Sequence, residues 1–476
     1  MTVPAADGWP ALLRRQHLVP LAMLSLGIGL YAFNTFLVAT AMPSAVAEIG
    51  GVALLAWATT VFLVAAIVAG AGGAAVKARL GARAALVLGG STFLAGTLVC
   101  GLAPSMPVLL LGRALQGAGE GMVAAISYAL IPVLFPAHLT TKVFAVEALV
   151  WALAGFAGPV VGGVLTEAMS WRAAFLVNAP VAGLFLGLVL ASVPGRLPQD
   201  GLAQEGLAQE GLAQEGLAPP PLLRLAALGL GILLIAASSL AGHPLASAGC
   251  VLAGAAVLFA MAAADRRQVT RLFPRGAFSP GTALGAGLLV VALMPVAHSF
   301  TIVHLTLALQ QGWGFSPTLA GALFAVGPLS WSAAMLVVAN IDRPAMPSLG
   351  IRFGPPVLAL AVAGQLGAVM LDLPWAMLPF LAAAGVSFGL GWAFLSMAVV
   401  RAAEPAERDM AAGLVPTVQS AGYALGAALT GLAASQAGLD GASAQSTIAG
   451  FAWVVGCGLV PAGVASWVAV RRRDWP

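Results

Sequence analysis

The sequence predicts an all-α polytopic membrane protein, and three observations carry that prediction. Hydrophobic residues make up 60% of the chain and charged residues only 8%, with a mean hydropathy of +0.99. A water-soluble chain of this size could not keep such a composition in solution. Apolar stretches of about 20 residues, the length that crosses a hydrocarbon core, recur along nearly all of its 476 residues. The cations, finally, collect in alternate connections between those stretches.

In chain order the apolar stretches lie near 19–42, 53–76, 85–104, 107–133, 143–166 and 173–194, then 221–241 and 244–264. After a basic segment around Arg271 come 282–308, 316–340, 353–371, 375–399, 410–436 and 446–470, about 14 transmembrane helices in all. Lys and Arg accumulate in cytoplasmic loops. With the N-terminus inside, 19 of the 21 Lys and Arg residues fall in cytoplasmic segments, leaving Arg113 within a span and Arg172 outside. An odd number of spans would spoil that segregation, so an even count is expected, with both termini cytoplasmic in a cell inner (plasma) membrane. The first apolar run is full length and more follow it, which argues against a cleavable signal peptide. The formal charge of +4 thus reports topology, and no nucleic-acid partner is expected.

Between the sixth and seventh stretches, GLAQE occurs three times from Gly201 to Glu215, before Pro219 to Pro221. A period of five holds no helical or strand face for long, and glycine recurs in every unit. A cytoplasmic tether is the reading, with no specific partner required. The three cysteines, Cys100, Cys250 and Cys457, all fall in apolar stretches, and the five histidines are scattered. Neither a disulfide framework nor a metal site is suggested, and no cofactor is expected.

Function is sought first where charge enters the membrane, because ionisable groups at that depth are costly. Arg113, Gln116 and Glu120 sit at helical spacing in the apolar run from Pro107 to about Phe135. Seven residues place Arg113 and Glu120 on nearly one face, about 10 Å apart along the axis. Gln116 lies between them and has the groups to accept from the guanidinium while donating to the carboxylate. At mid-span, burial and a neighbouring cation act on Glu120 in opposite senses. Glu120 is therefore a candidate proton carrier, or else a structural group that bonds to an adjacent helix. Glu147, one turn into the fifth stretch, is either a second proton group at the inner mouth or a residue that snorkels or pairs with Lys142.

Certain residues resemble the major facilitator superfamily. Gly158, Pro159, Val160, Val161, Gly162 and Gly163 are similar to the glycine-proline motif of its antiporters. Gly112, Arg113, Ala114, Leu115, Gln116, Gly117, Ala118 and Gly119 resemble its motif of Arg, two residues, then Gln and Gly. The stretch from Ser170 to Pro180, with Trp171, Arg172, Phe175, Leu176 and Asn178, resembles the entry to the sixth span of fourteen-span drug:proton antiporters. Two carboxylates of the family pattern are missing. Lys77, Ala78, Arg79, Leu80, Gly81, Ala82 and Arg83 keep the signature loop's glycine and cations but have Ala78 where an Asp falls, and Asn34 stands nine residues before Pro43 where the branch has an Asp.

The resemblance implies a major facilitator fold: an N-terminal six-helix half (1–195), the linker (196–220), two additional transmembrane helices (221–266) and a C-terminal six-helix half (267–476). It also implies alternating access around a central cavity, with Gly155, Gly158, Pro159, Gly162 and Gly163 as conformational positions of close packing and bending, beside Arg79, Gly81 and Arg83. The proton-coupling set expected is Glu120, Arg113, Gln116 and Glu147. Polar or aromatic groups at membrane depth give the candidate substrate-binding set: Tyr31, Asn34, Tyr128, Trp151, Asn178, His298, Gln365, Gln419 and Tyr423, each of which packing between helices also accommodates. Apolar spans with a single internal cation suit a hydrophobic or amphipathic substrate better than a multiply charged one. No nucleophile and base stand at reactive spacing, so an enzyme is not expected. The expected function is secondary active, proton-coupled export of such small molecules by a monomer in the lipid bilayer. Uniport or proton symport of a small neutral solute stays open, as does a degenerate, non-transporting receptor.

Overall fold

The computed structural model describes residues 9–12, 14–193, 222–268, 271–341, 343, 345–439, 443–472 and 475. The GLAQE repeat and its flanks lie outside them. After a single helical turn at Trp9–Leu12 come α1 (Arg15–Ile49), α2 (Leu55–Leu80), α3 (Ala82–Gly101), α4 (Met106–Leu134) and α5 (Ala137–Ala168). α6 is Trp171–Leu176 continued by Asn178–Ser192. Then follow α7 (Leu222–Ala237), α8 (Pro244–Arg266), α9 (Ala283–Leu307), α10 (Pro317–Ala339), α11 (Met346–Met370), α12 (Leu378–Ala402) and α13 (Arg408–Gln436). α14 is Ala444–Cys457 continued by Leu459–Arg471.

The helices outrun the apolar stretches that announce them, because intrahelical hydrogen bonding carries the backbone past the hydrocarbon length into the interface. Their ends follow local chemistry. Gly81, at φ +81°, turns α2 into α3 and donates its N–H to Lys77 O at 2.8 Å, a conformation that favours glycine. Serine side chains cap α6, α10 and α14.

Twelve helices among the described residues are long and apolar enough to cross a membrane. α4 and α13, each of 29 residues, are outside that set; both carry polar side chains, Arg113, Gln116 and Glu120 in α4, and Gln419, Ser420 and Tyr423 in α13.

α1 to α6 pack mainly on one another, with α4 held between α2 and α3, and α9 to α14 do the same. Two seams join the groups, α5 on α10 and α2 on α13, and α7 lies along the second, touching both of its helices. Glycine sets how closely α4 is gripped. A Cβ on Gly117 or Gly121 would strike the backbone carbonyls of Phe62 and Ala66 in α2, and one on Gly119 would strike the backbone of Phe93 and Gly89 in α3. Where apolar side chains meet an apolar solvent, such close backbone approach supplies the dispersion contact that the hydrophobic effect does not.

Candidate functional site

The glycines of α4 and α3 bring polar side chains into contact deep in the bundle. Gly96 lets α3 come so near that a Cβ there would lie 2.6 Å from the backbone N of Gln116. Thr97, the next residue, is thereby delivered to Gln116. Arg113 is buried; its Nε donates to Ala58 O at 3.3 Å and its Nη1 to Gln116 Oε1 at 2.7 Å, while the guanidinium carbon sits 4.0 Å from the centre of the Phe62 ring. Gln116 Nε2 donates to Thr97 Oγ1 at 3.0 Å, and the Cys100 thiol points at Gln116 Oε1 from 3.7 Å. The expectation that Gln116 links Arg113 to Glu120 is corrected here. One end of the amide meets the guanidinium, but the other turns to α3, where the Thr97 hydroxyl is the nearer acceptor.

Glu120 consequently receives nothing from Gln116. It is 2% exposed, and neither carboxylate oxygen has a hydrogen-bond partner, which holds for no other carboxyl buried among the described residues. Its polar neighbour is Asn34 of α1, whose own Nδ2 is also without a partner. Asn34 Oδ1 accepts from Asn178 Nδ2 at 3.4 Å, and Asn178 Nδ2 also reaches Phe175 O at 3.3 Å. A buried polar group without a partner is rare enough in native structures to need a reason. Glu120 is such a group: a buried carboxyl that faces a spare amide donor while Arg113 is committed to Ala58 O and Gln116 Oε1.

Glu147 neither snorkels nor sits at an exposed mouth. It is 1% exposed, accepts from Ser25 Oγ of α1 at 2.8 Å through one oxygen, and leaves the other unpartnered. The packing of α5 against α1 encloses it, which corrects the snorkelling reading.

Six of the candidate substrate residues, Asn34 and Asn178 among them, gather at this network. Tyr31 lies against Phe62, with ring centres 5.9 Å apart, and edge-on to Trp151 at 5.6 Å. Trp151 Nε1 donates to the hydroxyl of Tyr128 at 3.3 Å. Across the seam, α13 brings Ser420 to the Tyr31 hydroxyl and places Tyr423 in the same apolar cluster as Tyr31 and Phe62. Together with Asn34 these residues line one region where the two groups of helices face each other. Gln419 is half-buried on α13.

His298 and Gln365 stand apart from it. His298 joins a second aromatic group, 5.4 Å from the Phe388 ring, which in turn lies 5.0 Å from Trp331 and 5.7 Å from Trp392. Gln365 is fully buried inside its own group, accepting from Thr301 Oγ1 at 2.7 Å and donating to Phe380 O at 3.1 Å. Gln365 is a satisfied packing residue, and its expected place at the cavity is corrected.

The conformational residues divide by seam. Gly158 and Gly162 lay α5 on α1, where a Cβ would fall 2.9 Å from Phe36 Cβ and 2.5 Å from Thr40 Oγ1. Gly155 and Gly163 lay it on α10, at 2.7 Å from Pro328 Cβ and 2.5 Å from Pro317 O, while Gly321 of α10 receives the carbonyl of Pro159. Arg79, Gly81 and Arg83 form the α2–α3 turn, with Arg79 exposed.

Sequence reading missed a set of bonds between the groups, all at one end of the bundle. Thr306 Oγ1 donates to Ala39 O at 2.6 Å, Gln310 Nε2 to Thr40 O at 3.0 Å, Gln311 Nε2 to Pro43 O at 3.3 Å, and Thr318 N to Glu167 Oε2 at 3.3 Å. Pro43 has no N–H, so Ala39 O loses its intrahelical donor, and Thr306 supplies one from the other group. A π-helical turn at Ala308–Gly312 presents both glutamines. This end, where the α1–α2 and α9–α10 turns lie, is closed. A signal was available in Pro43, which announces a freed carbonyl, and in the Gln310–Gln311 pair at the end of a span.

Comparison with known proteins agrees with this architecture. The family model for the Major Facilitator Superfamily matches residues 24–427. A probable multidrug-efflux transporter of Mycobacterium tuberculosis is 30% identical over 480 residues, spanning 99% of this chain and 98% of that protein. Multidrug resistance protein 3 of Bacillus subtilis is 32% identical over 171 residues, 35% of this chain and 33% of that protein. Among solved structures, a D-xylose-proton symporter superposes with a TM-score of 0.65 at 14% identity, covering 96% of this chain and 97% of the other. A peptide transporter gives 0.65 at 15% identity, covering 95% and 94%. At those identities the solved structures speak to the fold alone.

Proposed function

Because the chain belongs to the Major Facilitator Superfamily, we propose that it exports hydrophobic or amphipathic small molecules in exchange for protons. It is a transporter of that superfamily and not an enzyme; coupling, direction and substrate class are our reading. The observation that carries it is Glu120, a buried carboxyl with both oxygens unpartnered in a region shared by Tyr31, Trp151 and Tyr423. Similarity along the whole chain to a protein named as a probable multidrug-efflux transporter supports the substrate class.

In this reading α4 and α13 also cross the membrane, giving fourteen spans with both termini cytoplasmic. The GLAQE linker and the α7–α8 hairpin stand between two six-helix halves of one working monomer. The closed end then faces outward, and the molecule is inward-facing. Glu120 exchanges its proton as substrate enters or leaves the region beside it. Arg113, fixed by Ala58, Gln116 and Phe62, holds positive potential nearby without pairing with it. Glu147, with one free oxygen, passes protons between Glu120 and the inner face. Gly155 and Gly163 let the halves rock at the α5–α10 seam.

The test is proton release from purified protein on addition of lipophilic cations and neutral amphiphiles, comparing wild type with Glu120→Gln. Release by wild type that the substitution abolishes while binding survives supports the reading. Binding by both with no release assigns Glu120 a structural role and removes the coupling from it.

A further inference from the structure

We propose that the arginine-lined cavity at the α8–α9 connection binds a phosphate monoester or diester, supplied by an anionic lipid headgroup or by free phosphate. The cavity encloses about 190 Å³ and is lined by Asp265, Arg266, Arg271, Arg275, Phe278 and Ser279, with neighbouring loop residues. That is small for an amphipathic substrate, whose pockets run from about 300 Å³ upward, and it lies away from the Glu120 region.

Its charge is unbalanced. Asp265 is buried and already committed: it pairs with Arg224 and accepts the backbone N–H groups of Leu272 at 2.8 Å and Phe273 at 3.0 Å. Arg266 donates to the backbone carbonyl of Phe278 at 3.4 Å and Arg271 to that of Gln268 at 3.2 Å. Glu407 Oε2 accepts the Arg275 backbone N–H at 2.8 Å. Among the described residues no carboxylate forms a salt bridge with any of the three guanidinium groups. Planar guanidinium forks match phosphate oxygens two at a time.

The cavity wall is built in advance. Thr282 Oγ1 bonds to Gly276 O at 3.0 Å and Ser279 O at 2.9 Å, Ser279 N donates to Gly276 O, and Phe273 and Phe278 pack with ring centres 4.6 Å apart. It lies at the end of the bundle opposite the closed one, where Arg472 donates to Gly281 O. Its neighbour α8 turns a bare apolar face outward, with Phe259 78% and Leu252 69% exposed. Acyl chains of a bilayer cover such a face, which sets a lipid headgroup within reach of the arginines, as in basic pockets between transmembrane helices. A phosphate held there ties the α7–α8 hairpin to the group that begins with α9.

Native mass spectrometry of the full-length protein in detergent, with phosphatidylglycerol, phosphatidylcholine or inorganic phosphate added, tests this. Wild type is expected to retain phosphatidylglycerol over phosphatidylcholine. The Arg266→Gln, Arg271→Gln, Arg275→Gln triple variant is expected to bind it about a hundredfold more weakly, and Arg401→Gln with Arg408→Gln is expected to bind as wild type does. Competition by inorganic phosphate on wild type, which needs no variant to fold, identifies free phosphate as a sufficient ligand; phosphatidylglycerol retention without competition identifies the lipid. Equal retention of the two lipids together with no phosphate binding overturns the proposal, as does unchanged phosphatidylglycerol binding in the folded triple variant.

Discussion

The helices α1 to α6 and the helices α9 to α14 are packed by one device and filled with different chemistry. In the first group, Gly117 and Gly121 let α4 rest on the backbone of α2. In the second, Gly385 and Gly389 let α12 rest on the backbone of α10, against Gly327 O and Trp331 O. Their buried polar groups diverge. The first buries Arg113, Glu120 and Glu147; the second buries Thr301, His304, Gln365 and Ser387, with no Asp, Glu, Lys or Arg among its buried described residues. Shared packing with unshared charge separates two tasks. On the proposed function, ion handling sits in the first group, and the second contributes shape and aromatic surface through Trp331, Phe388 and Trp392.

The strongest way to break that comparison is Glu120→Gln. The amide is nearly isosteric, and no bond is lost because neither oxygen makes one. Protein yield and melting temperature should therefore hold, while pH-gradient-driven flux of a bound amphiphile in proteoliposomes falls to the background of empty vesicles. Flux that survives Glu120→Gln but disappears in His298→Gln would move ion handling to the second group.

Arg113→Ala should give the next largest effect, and on stability. It vacates the face of Phe62 and strips the donor from Gln116 Oε1 and Ala58 O, at about 1–3 kcal/mol for each buried acceptor left unsatisfied. Arg113→Lys should recover little, since one ammonium nitrogen does not reproduce the two separate positions, Nε and Nη1, that reach Ala58 O and Gln116 Oε1. Thr301→Val, which strips the partner of Gln365 in the other group, should cost only about 1 kcal/mol. Thermal melting in one detergent compares the three, and equal losses at Arg113 and Thr301 would erase the asymmetry.

What was legible in the sequence follows the same physical divide. Arg113, Gln116 and Glu120 stood out because helical spacing is a property of one helix, and Gly158 and Pro159 because a motif is local. Thr97, Ser25, Ser420 and Thr306 did not, since each acquires meaning only from the helix lying beside it. The error over Gln116 has that origin: spacing ranked Glu120 as its partner, and Gly96 brought Thr97 closer.

The packing half of the comparison is sharpened by Gly117→Ala and Gly385→Ala. Each adds one methyl where a backbone carbonyl already stands, so the helices must separate, at a cost of roughly 1–3 kcal/mol each. Similar drops in melting temperature would support a common device. A loss confined to one group would show that the other tolerates separation.

The smallest expected effect lies where the two groups touch. Thr306→Val and Gln310→Leu each remove a donor to a carbonyl of α1, at Ala39 and Thr40, and a bond of this kind contributes about 1 kcal/mol. Folding should be nearly untouched, because the carbonyls meet water once the end opens. The closed arrangement loses that energy and the open one does not, so the ratio of closed to open molecules should fall roughly fivefold for each variant. The reading is the rate at which a maleimide labels Ser44→Cys, in a chain whose Cys250 and Cys457 are replaced by Ala while buried Cys100 is kept. Faster labelling in both variants makes the bonds around Pro43 a latch between the charged group and the neutral one. An unchanged rate would leave closure to the glycine contacts of the α5–α10 seam, where Gly163 meets Pro317, and would make those bonds a consequence of closure and not its cause.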